Sequence, residues 1–342
     1  MTLRSLFRSR PARRVHRAAL GGALAIAVSL STAGTALACP APPPPVRDLD
    51  IPPFYGAAGN TRLDPKQQAV NAAAAQPLTT YLDTVTQQAD LSLSARDEAA
   101  RAEAAGCALD WLEAWARGEA WLGRIATQQS EYQRKWDLAG LALGYLKVKS
   151  RASPQQRAVI EPWLDRIATA ARAFFDDRRH QRNNHWYWLG LGLAGTGLAT
   201  GNQHHWDEAR GIMADAARDI RPDGALPLEL ARGPRAIHYH AFSVMPLVVL
   251  AELGASRGED WYQLGDGALH RLVALTVSGL REPGIFTRLA GQPQQPSANS
   301  SGTGWLPLYT RRFPGRVPAG VLSMPARHRW TGGDVLALPA RS

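Results

Sequence analysis

Residues 182–188, Arg-Asn-Asn-His-Trp-Tyr-Trp, lead directly into the apolar run Leu-Gly-Leu-Gly-Leu-Ala-Gly-Thr-Gly-Leu-Ala at 189–199. Asparagine is a common helix N-cap, so this stretch predicts a helix over 183–199. His185, Trp186 and Tyr187 occupy successive positions, which turn by about 100° each around a helix axis and therefore cannot all face one core. Part of this group is expected to line a cleft, although capping and core packing would account for Asn183 and Trp188.

The same helical pattern continues on both sides of this stretch. From Asp64 nearly to the C-terminus, Ala- and Leu-rich runs recur at i, i+3 and i+4 and are separated by Gly, Pro or Asn. The predicted helices cover 65–90, 94–118, 131–148, 154–176, 183–199, 203–219, 235–256 and 259–279. No stretch alternates strongly enough to predict a sheet, and 281–304 is expected to be a long irregular loop. Consecutive amphipathic helices bury their apolar stripes against one another, which predicts an all-α layered bundle or toroid.

The first 64 residues have a different composition. Residues 1–38 contain six arginines, no acid, an apolar run that is shorter than the ~20 residues of a membrane span, and a final Ala-Leu-Ala. This pattern predicts a secretory signal peptide cleaved after Ala38, and hence a periplasmic or secreted protein without stable membrane insertion. Residues 39–64 are expected to form a proline-rich arm and a possible lid loop, and residues 65–342 the helical domain.

The charge of the exported chain bears on its partner. Removal of the six signal arginines lowers the formal net charge from +10 to +4. A mildly basic exported surface favours an anionic polysaccharide over nucleic acid or anionic lipid. The chain is expected to act as a monomer.

The chain has two cysteines, Cys39 and Cys107. They could form one disulfide in an oxidising compartment or remain unpaired, because two thiols permit a pairing without proving that they lie close.

A second polar cluster, Arg-Gly-Pro-Arg-Ala-Ile-His-Tyr-His, occupies 232–240. Gly233-Pro234 is typical of a helix start, and Arg232 and Tyr239 share roughly one face if the helix reaches back to Arg232. The cluster is consistent with a solvated basic face around a buried tyrosine. It is also consistent with an acid-binding site, which needs Arg, His and Tyr together. We interpret 182–188 and 232–240 as two walls of one site.

Together these motifs resemble the alginate lyase family. The resemblance rests on Asn-Asn-His followed by Tyr-Trp, on Asp-Gly-Ala-Leu-Pro-Leu-Glu-Leu at 223–230 and on the cluster at 232–240. It extends from about Cys107 through Tyr239 and returns at Gly-Gly-Asp, 332–334. The resemblance implies an incomplete (α/α) toroid of helical hairpins with a substrate cleft, and β-elimination of a uronate polysaccharide without a metal or other cofactor.

The resemblance also implies roles for individual residues. Asn184 and Arg232 would neutralise the substrate carboxylate, and His185 and Tyr239 would transfer protons. Removing the C5 proton builds negative charge beside that carboxylate. Amide and guanidinium donors stabilise this developing charge. The substrate-binding candidates are His238, Arg329, Arg134, Lys135, Trp136 and Arg62.

Two departures from the family pattern concern the substrate. Gly-Asn-Thr-Arg-Leu at 59–63 stands where mannuronate lyases commonly carry a Ser-Lys-Tyr lid element, and His238 replaces a residue that is small in many members. Polymannuronate is the expected polymer, with glucuronan or hyaluronan as further candidates, and the sequence leaves the preference open.

Two other functions fit parts of the sequence. An inverting glycoside hydrolase needs two carboxylates on opposite sides of the bond, for which Asp110, Glu113, Asp223 and Glu229 are available, although none lies within the basic and aromatic clusters. A non-catalytic polyuronate-binding protein would share the cationic cleft. A zinc site is not expected, because the paired histidines at 204–205 and 238–240 point apart on a helix.

Overall fold

The computed structural model describes residues 39–56, 64–178, 182–295, 303–318, 321 and 326–338. Residues Cys39–Ser342 form one compact unit. The described residues are predominantly helical, which confirms the all-α prediction. The helices are α1 (Pro65–Ser94), α2 (Glu98–Arg117), α3 (Gln128–Val148), α4 (Pro154–Phe174), α5 (Asn184–Thr200), α6 (Gln203–Asp219), α7 (Pro227–Leu230), α8 (Ala236–Ser256), α9 (Leu264–Arg281), α10 (Gly284–Ala290) and α11 (Leu306–Arg312). Two short strands, β1 (Arg327–His328) and β2 (Gly333–Asp334), pair antiparallel.

The helix starts follow the local sequence rules. Pro65 and Pro154 occupy first-turn positions, where the missing N–H costs nothing. Asp64 caps α1 by accepting from two backbone N–H groups, and Ser153 with Gln156 forms a capping box on α4. The 281–304 loop prediction is wrong at 284–290, because this segment forms α10.

The long helices form an inner and an outer layer. Helices α3, α5 and α8 are buried on nearly all sides, and α1 packs on α3, α3 on α5 and α5 on α8. Helices α4, α6 and α9 have one buried stripe each, and with α2 they cover the inner helices from outside. Two layers of alternating inner and outer helices match the predicted toroid of hairpins.

Helix α5 lies at the centre of these contacts because its glycines let neighbours approach. Gly192 faces Leu138, and a Cβ at Gly197 would lie 2.9 Å from the backbone nitrogen of Trp206. Since a side chain at these positions would push α3 or α6 away, the small residues set how closely the helices pack.

The N-terminal arm is fastened along the first helices. Cys39 and Cys107 form a disulfide with Cα atoms 5.4 Å apart. The indole nitrogens of Trp111 and Trp115 donate to the carbonyls of Pro40 and Pro43, both at 2.8 Å. The arm continues through a bridge between Leu49 and Ile125 and ends, within the described residues, at Tyr55 and Gly56.

A C-terminal segment, residues 326–338, lies across α1 and α3. Lys147 of α3 donates to Asp90 Oδ1 at 2.6 Å, to the Gly332 carbonyl at 2.7 Å and to the Asp334 carbonyl at 2.8 Å. Arg327 pairs with the other oxygen of Asp90 at 3.0 Å. A buried charge cluster thus holds this segment on the helical body.

One segment among the described residues, Gly233–Ser256, is long and apolar enough to qualify as a membrane span by length and composition. Most of its residues are buried inside the protein, where Ala236–Ser256 form the core helix α8.

Candidate active site

Asn184 and His185 begin α5 and form the first wall of the site. Asn183 caps the helix by accepting from the His185 N–H at 3.0 Å. Asn184 is fully buried, and its backbone N–H and its side-chain Nδ2 both donate to Glu229 Oε1, at 2.7 and 2.9 Å. The carboxamide of Asn184 is therefore held by a carboxylate.

Arg232 and Tyr239 form the second wall. The helix does not reach back to Arg232, because Gly233–Arg235 forms a 3-10 turn in which Gly233 has a φ of +54°. The turn nevertheless places the Arg232 guanidinium carbon 3.6 Å from the centroid of the Tyr239 ring, and that of Arg235 at 5.2 Å. Two cations thus lie beside one buried phenol, where their positive charge can offset negative charge that develops on its oxygen.

Tyr55 brings the N-terminal arm into the site. Its hydroxyl contacts the Tyr239 hydroxyl and accepts a hydrogen bond from Arg235 Nη1 at 2.6 Å. Burial raises the pKa of Tyr55, and the Arg235 and Arg232 guanidiniums oppose that shift. Tyr55 therefore stays a neutral phenol beside Tyr239.

His185 is held as a neutral imidazole. Its ring stacks on Tyr132 with centroids 3.7 Å apart, and Trp136 lies at 5.6 Å. Burial lowers the pKa of His185 well below its ordinary value, and the positive charges of Lys135 and Arg232 lower it further. At neutral pH the ring can share a proton through a hydrogen bond but carries no charge.

An aromatic cluster of Trp136, Trp188, Phe242 and Trp330 lies next to His185. Trp136 stacks on Trp330 with centroids 4.6 Å apart, and Trp188 lies 5.2 Å from Phe242. Within the described residues, the buried indole nitrogens of Trp136 and Trp188 have no hydrogen-bond partner. Trp136 and Trp188 are buried, and Phe242 and Trp330 are the two partly exposed rings of the cluster.

His238 joins the two parts of the site. Its ring lies 5.0 Å from Tyr239 and 6.2 Å from Phe242, parallel to the latter within 5°. Burial, with the charges of Arg235 and Arg232, lowers the pKa of His238 to about 3. The imidazole is therefore neutral, and its contacts are consistent with the predicted binding role.

Two predicted binding residues on α3, Lys135 and Arg134, are held by contacts within the protein. Lys135 is fully buried, with Nζ 3.8 Å above the Trp136 ring and 3.3 Å from the Tyr132 carbonyl that it donates to. Burial lowers the pKa of Lys135 well below its ordinary value. Arg134 points to α4, where it pairs with Glu131 at 2.5 Å and donates to the Ala170 carbonyl. Of the three α3 candidates, Trp136 is the one that faces the aromatic cluster.

Two candidates remain, Arg329 and Arg62. Arg329 forms a two-bond ion pair with Asp83 of α1, both bonds at 2.9 Å. Its neighbour Trp330 enters the aromatic cluster instead. Arg62 lies outside the described residues.

The four carboxylates considered for hydrolysis are spread over the molecule. Glu113 pairs with Arg117 on α2, close to Asp110, and Asp223 pairs with Arg221 in an exposed turn. Among the described residues, Glu229 is the one of the four that contacts a predicted catalytic residue. The two opposed carboxylates of an inverting hydrolase are therefore not present in this set.

No group of three or more His, Cys, Asp or Glu side chains in the described part of the chain is arranged to hold a metal ion.

Sequence reasoning missed the contributions of Glu229, Tyr55, Arg235 and Trp330. Glu229 lies between two leucines in the 223–230 motif, and an acid inside an apolar stretch was the available signal. The sequence gives no such signal for Tyr55, because an extended arm has no periodicity from which its position on the protein could be predicted.

The chain is similar in sequence to known polysaccharide lyases. The family described as Alginate lyase matches residues 55–286. A polysaccharide lyase of Stenotrophomonas maltophilia is 42% identical over 264 residues, which cover 76% of this chain and 78% of that protein. An alginate lyase of Azotobacter vinelandii is 34% identical over 205 residues, which cover 58% of this chain and 55% of that protein.

Solved structures agree on the fold. The crystal structure of alginate lyase A1-III from Sphingomonas species A1 superposes with a TM-score of 0.74 at 22% identity, covering 89% of this chain and 86% of that one. A histidine-to-alanine and a tyrosine-to-phenylalanine variant of that enzyme, each complexed with tetrasaccharide, superpose with a TM-score of 0.77. This likeness is to an (α/α) toroid, as predicted.

Proposed function

Because the chain belongs to the alginate lyase family, we propose that it cleaves polyuronates by β-elimination at the C4–O4 bond, with poly-β-D-mannuronate as the main substrate. The observation that carries the proposal is the position of Arg232 over the Tyr239 ring, 3.6 Å from its centroid, in a site that also holds Asn184 and His185. A base between cations is the arrangement that this elimination needs.

The reaction can be followed atom by atom. Arg232 and Asn184 donate to the uronate carboxylate and so stabilise the negative charge that develops beside it. Tyr239 as phenolate takes the C5 proton, and the C–H electron pair becomes the C4=C5 double bond. The C4–O4 bond breaks, and O4 keeps its electron pair and receives a proton from the same phenol. Neutral His185 can hydrogen-bond to the sugar, and in this route the proton transfer predicted for both residues falls to Tyr239.

Stereochemistry supports the choice of substrate. β-D-Mannuronate and β-D-glucuronate share their C4–C5 arrangement and differ at C2, whereas α-L-guluronate is inverted at C5. One phenol beside C5 and O4 can therefore serve the first two. We propose that glucuronan or hyaluronan is also accepted, and that polyguluronate is a poor substrate.

The signal-peptide pattern of residues 1–38 and the Cys39–Cys107 disulfide support export to the periplasm, where an acidic polysaccharide is within reach. A cationic site with aromatic faces fits a polymer of this class, and we propose that the exported chain acts as a monomer.

The test is the product formed from purified polymers. Elimination yields a conjugated C4=C5 double bond that absorbs in the ultraviolet, hydrolysis yields reducing ends without that absorbance, and binding alone yields neither. We expect ultraviolet-absorbing product from polymannuronate, and its loss in a folded Tyr239→Phe variant. Substantial activity of this variant, or polyguluronate as the best substrate of the parent, would contradict the proposal.

A further inference from the structure

The buried carboxylate of Glu229 has a distinct position in the site. It lies in α7, a single helical turn between the 221–225 turn and Arg232, and it is 1% exposed. Its Oε1 atom accepts from the backbone N–H and from Nδ2 of Asn184. Glu229 therefore caps the first N–H of α5 and holds the side chain of the same residue.

A histidine inside the core keeps α7 in place. The backbone N–H of Leu226 donates to His240 Nε2 at 3.0 Å, and His240 Nδ1 lies 2.8 Å from the Ala236 carbonyl. A carbonyl can only accept, so Nδ1 carries the hydrogen and Nε2 is the acceptor. Burial lowers the pKa of His240 to about 4, which keeps this neutral tautomer at physiological pH. The backbone just before Glu229 is thus held from α8.

The double contact determines which end of the Asn184 carboxamide faces Glu229. A backbone N–H can only donate, so the Oε1 atom that receives it acts as an acceptor. The side-chain atom of Asn184 that shares this oxygen must then be the donor Nδ2 rather than Oδ1. Without Glu229, the carboxamide could rotate and present its oxygen where a donor is needed.

We infer that Glu229 is a positioning residue for the elimination, which orients the Asn184 carboxamide so that it can donate to the uronate carboxylate. This inference rests on the proposed function. Glu229 is not expected to touch the substrate, and it acts through Asn184. An acceptor with negative charge also polarises the amide that it binds and strengthens the remaining N–H as a donor.

The main experiment combines substitutions at both positions. Glu229→Ala removes the acceptor and is expected to lower kcat on polymannuronate about as much as Asn184→Ala, on the order of 10²–10³-fold, with a smaller change in KM. Glu229→Gln keeps a carbonyl oxygen that can accept both bonds and should stay within about 10-fold of the parent. The double variant Asn184→Ala with Glu229→Ala should be no slower than Asn184→Ala alone, because the two residues act as one unit.

Glu259→Gln serves as the matched control. The Glu259 carboxylate accepts from the indole nitrogens of Trp206 and Trp261, both at 2.9 Å, in a contact between α6 and the segment before α9. This substitution should leave kcat unchanged. A Glu229→Ala variant that folds and keeps the parental kcat, or a double variant in which the two losses multiply, would overturn the inference.

A second readout separates this inference from the proposed function. If the parent forms no unsaturated product from any polyuronate, the proposed function fails. The position of Asn184 can then still be tested by nuclear magnetic resonance on the full chain labelled with ¹⁵N at asparagine. The side-chain amide signal that disappears in Asn184→Ala should shift in Glu229→Ala and stay in place in Glu259→Gln. An unshifted signal in Glu229→Ala would overturn the inference whatever the activity.

Discussion

At the scale of single residues, the site depends on the shape of its donors as well as on their charge. The guanidinium carbon of Arg232 lies 3.6 Å from the centroid of the Tyr239 ring, and a planar guanidinium can also donate through a fork. Arg232→Lys keeps the charge but loses the fork. We expect it to lower kcat/KM on polymannuronate on the order of 10²-fold or more, because an ammonium cannot bind a carboxylate through two parallel bonds. Initial rates of ultraviolet-absorbing product measure this, with Arg257→Lys on the outer surface as a control. A near-parental rate for folded Arg232→Lys would show that a positive charge at this position is enough for the elimination.

At the scale of elements, the C-terminal segment 326–338 is held by the buried amine of Lys147, which donates to Asp90 and to two carbonyls. Lys147→Met removes this amine, while Asp90 keeps its bonds from Arg327 and from the Asp334 N–H. Breaking a buried pair costs about 3–5 kcal/mol when the remaining charge is left unpaired, so with Asp90 still paired we expect a loss at the lower end of that range in the free energy of unfolding. The same variant should raise KM, because the segment carries Trp330 onto Trp136.

Denaturant unfolding measures the change in the free energy of unfolding, and kinetics on the polymer measure the change in KM. Exposed Lys66→Met is the matched control, and an unfolding midpoint of Lys147→Met equal to that of this control would contradict the role of Lys147.

At the scale of the whole molecule, we expect polymer affinity to depend on ionic strength. Residues 39–342 carry a formal charge of +4, and several uronates of one polymer would meet this charge at once. The screening length falls from ~10 Å at 0.1 M salt to ~3 Å at 1 M, which weakens attraction between exposed charges. Binding of polymannuronate to inactive Tyr239→Phe should therefore weaken steadily as salt is added, as measured by calorimetry. An affinity that is independent of salt would mean that the aromatic faces and buried donors provide nearly all of the binding.

The sequence by itself determined the all-α class, most helix bounds to within a few residues, and the two polar segments, 182–188 and 232–240, that the fold brings close together. Caps such as Asp64 and Ser153 and the prolines after them act on the neighbouring backbone, so a linear sequence shows them directly. The pairing of Cys39 with Cys107 was permitted by the sequence, and the structure contains it.

Only the tertiary structure decided which side chains of the inner helices meet in the candidate site. Helix α3 is buried on nearly every side, so its pattern has no polar face to indicate direction, and Lys135 turned inward while Trp136 met the aromatic cluster. Tyr55 and Glu229 reached Tyr239 and Asn184 from 184 and 45 residues away in the chain. Such contacts follow from how the helices and the arm pack around one another, because local propensity acts over a few residues and carries no information about partners so distant in the sequence.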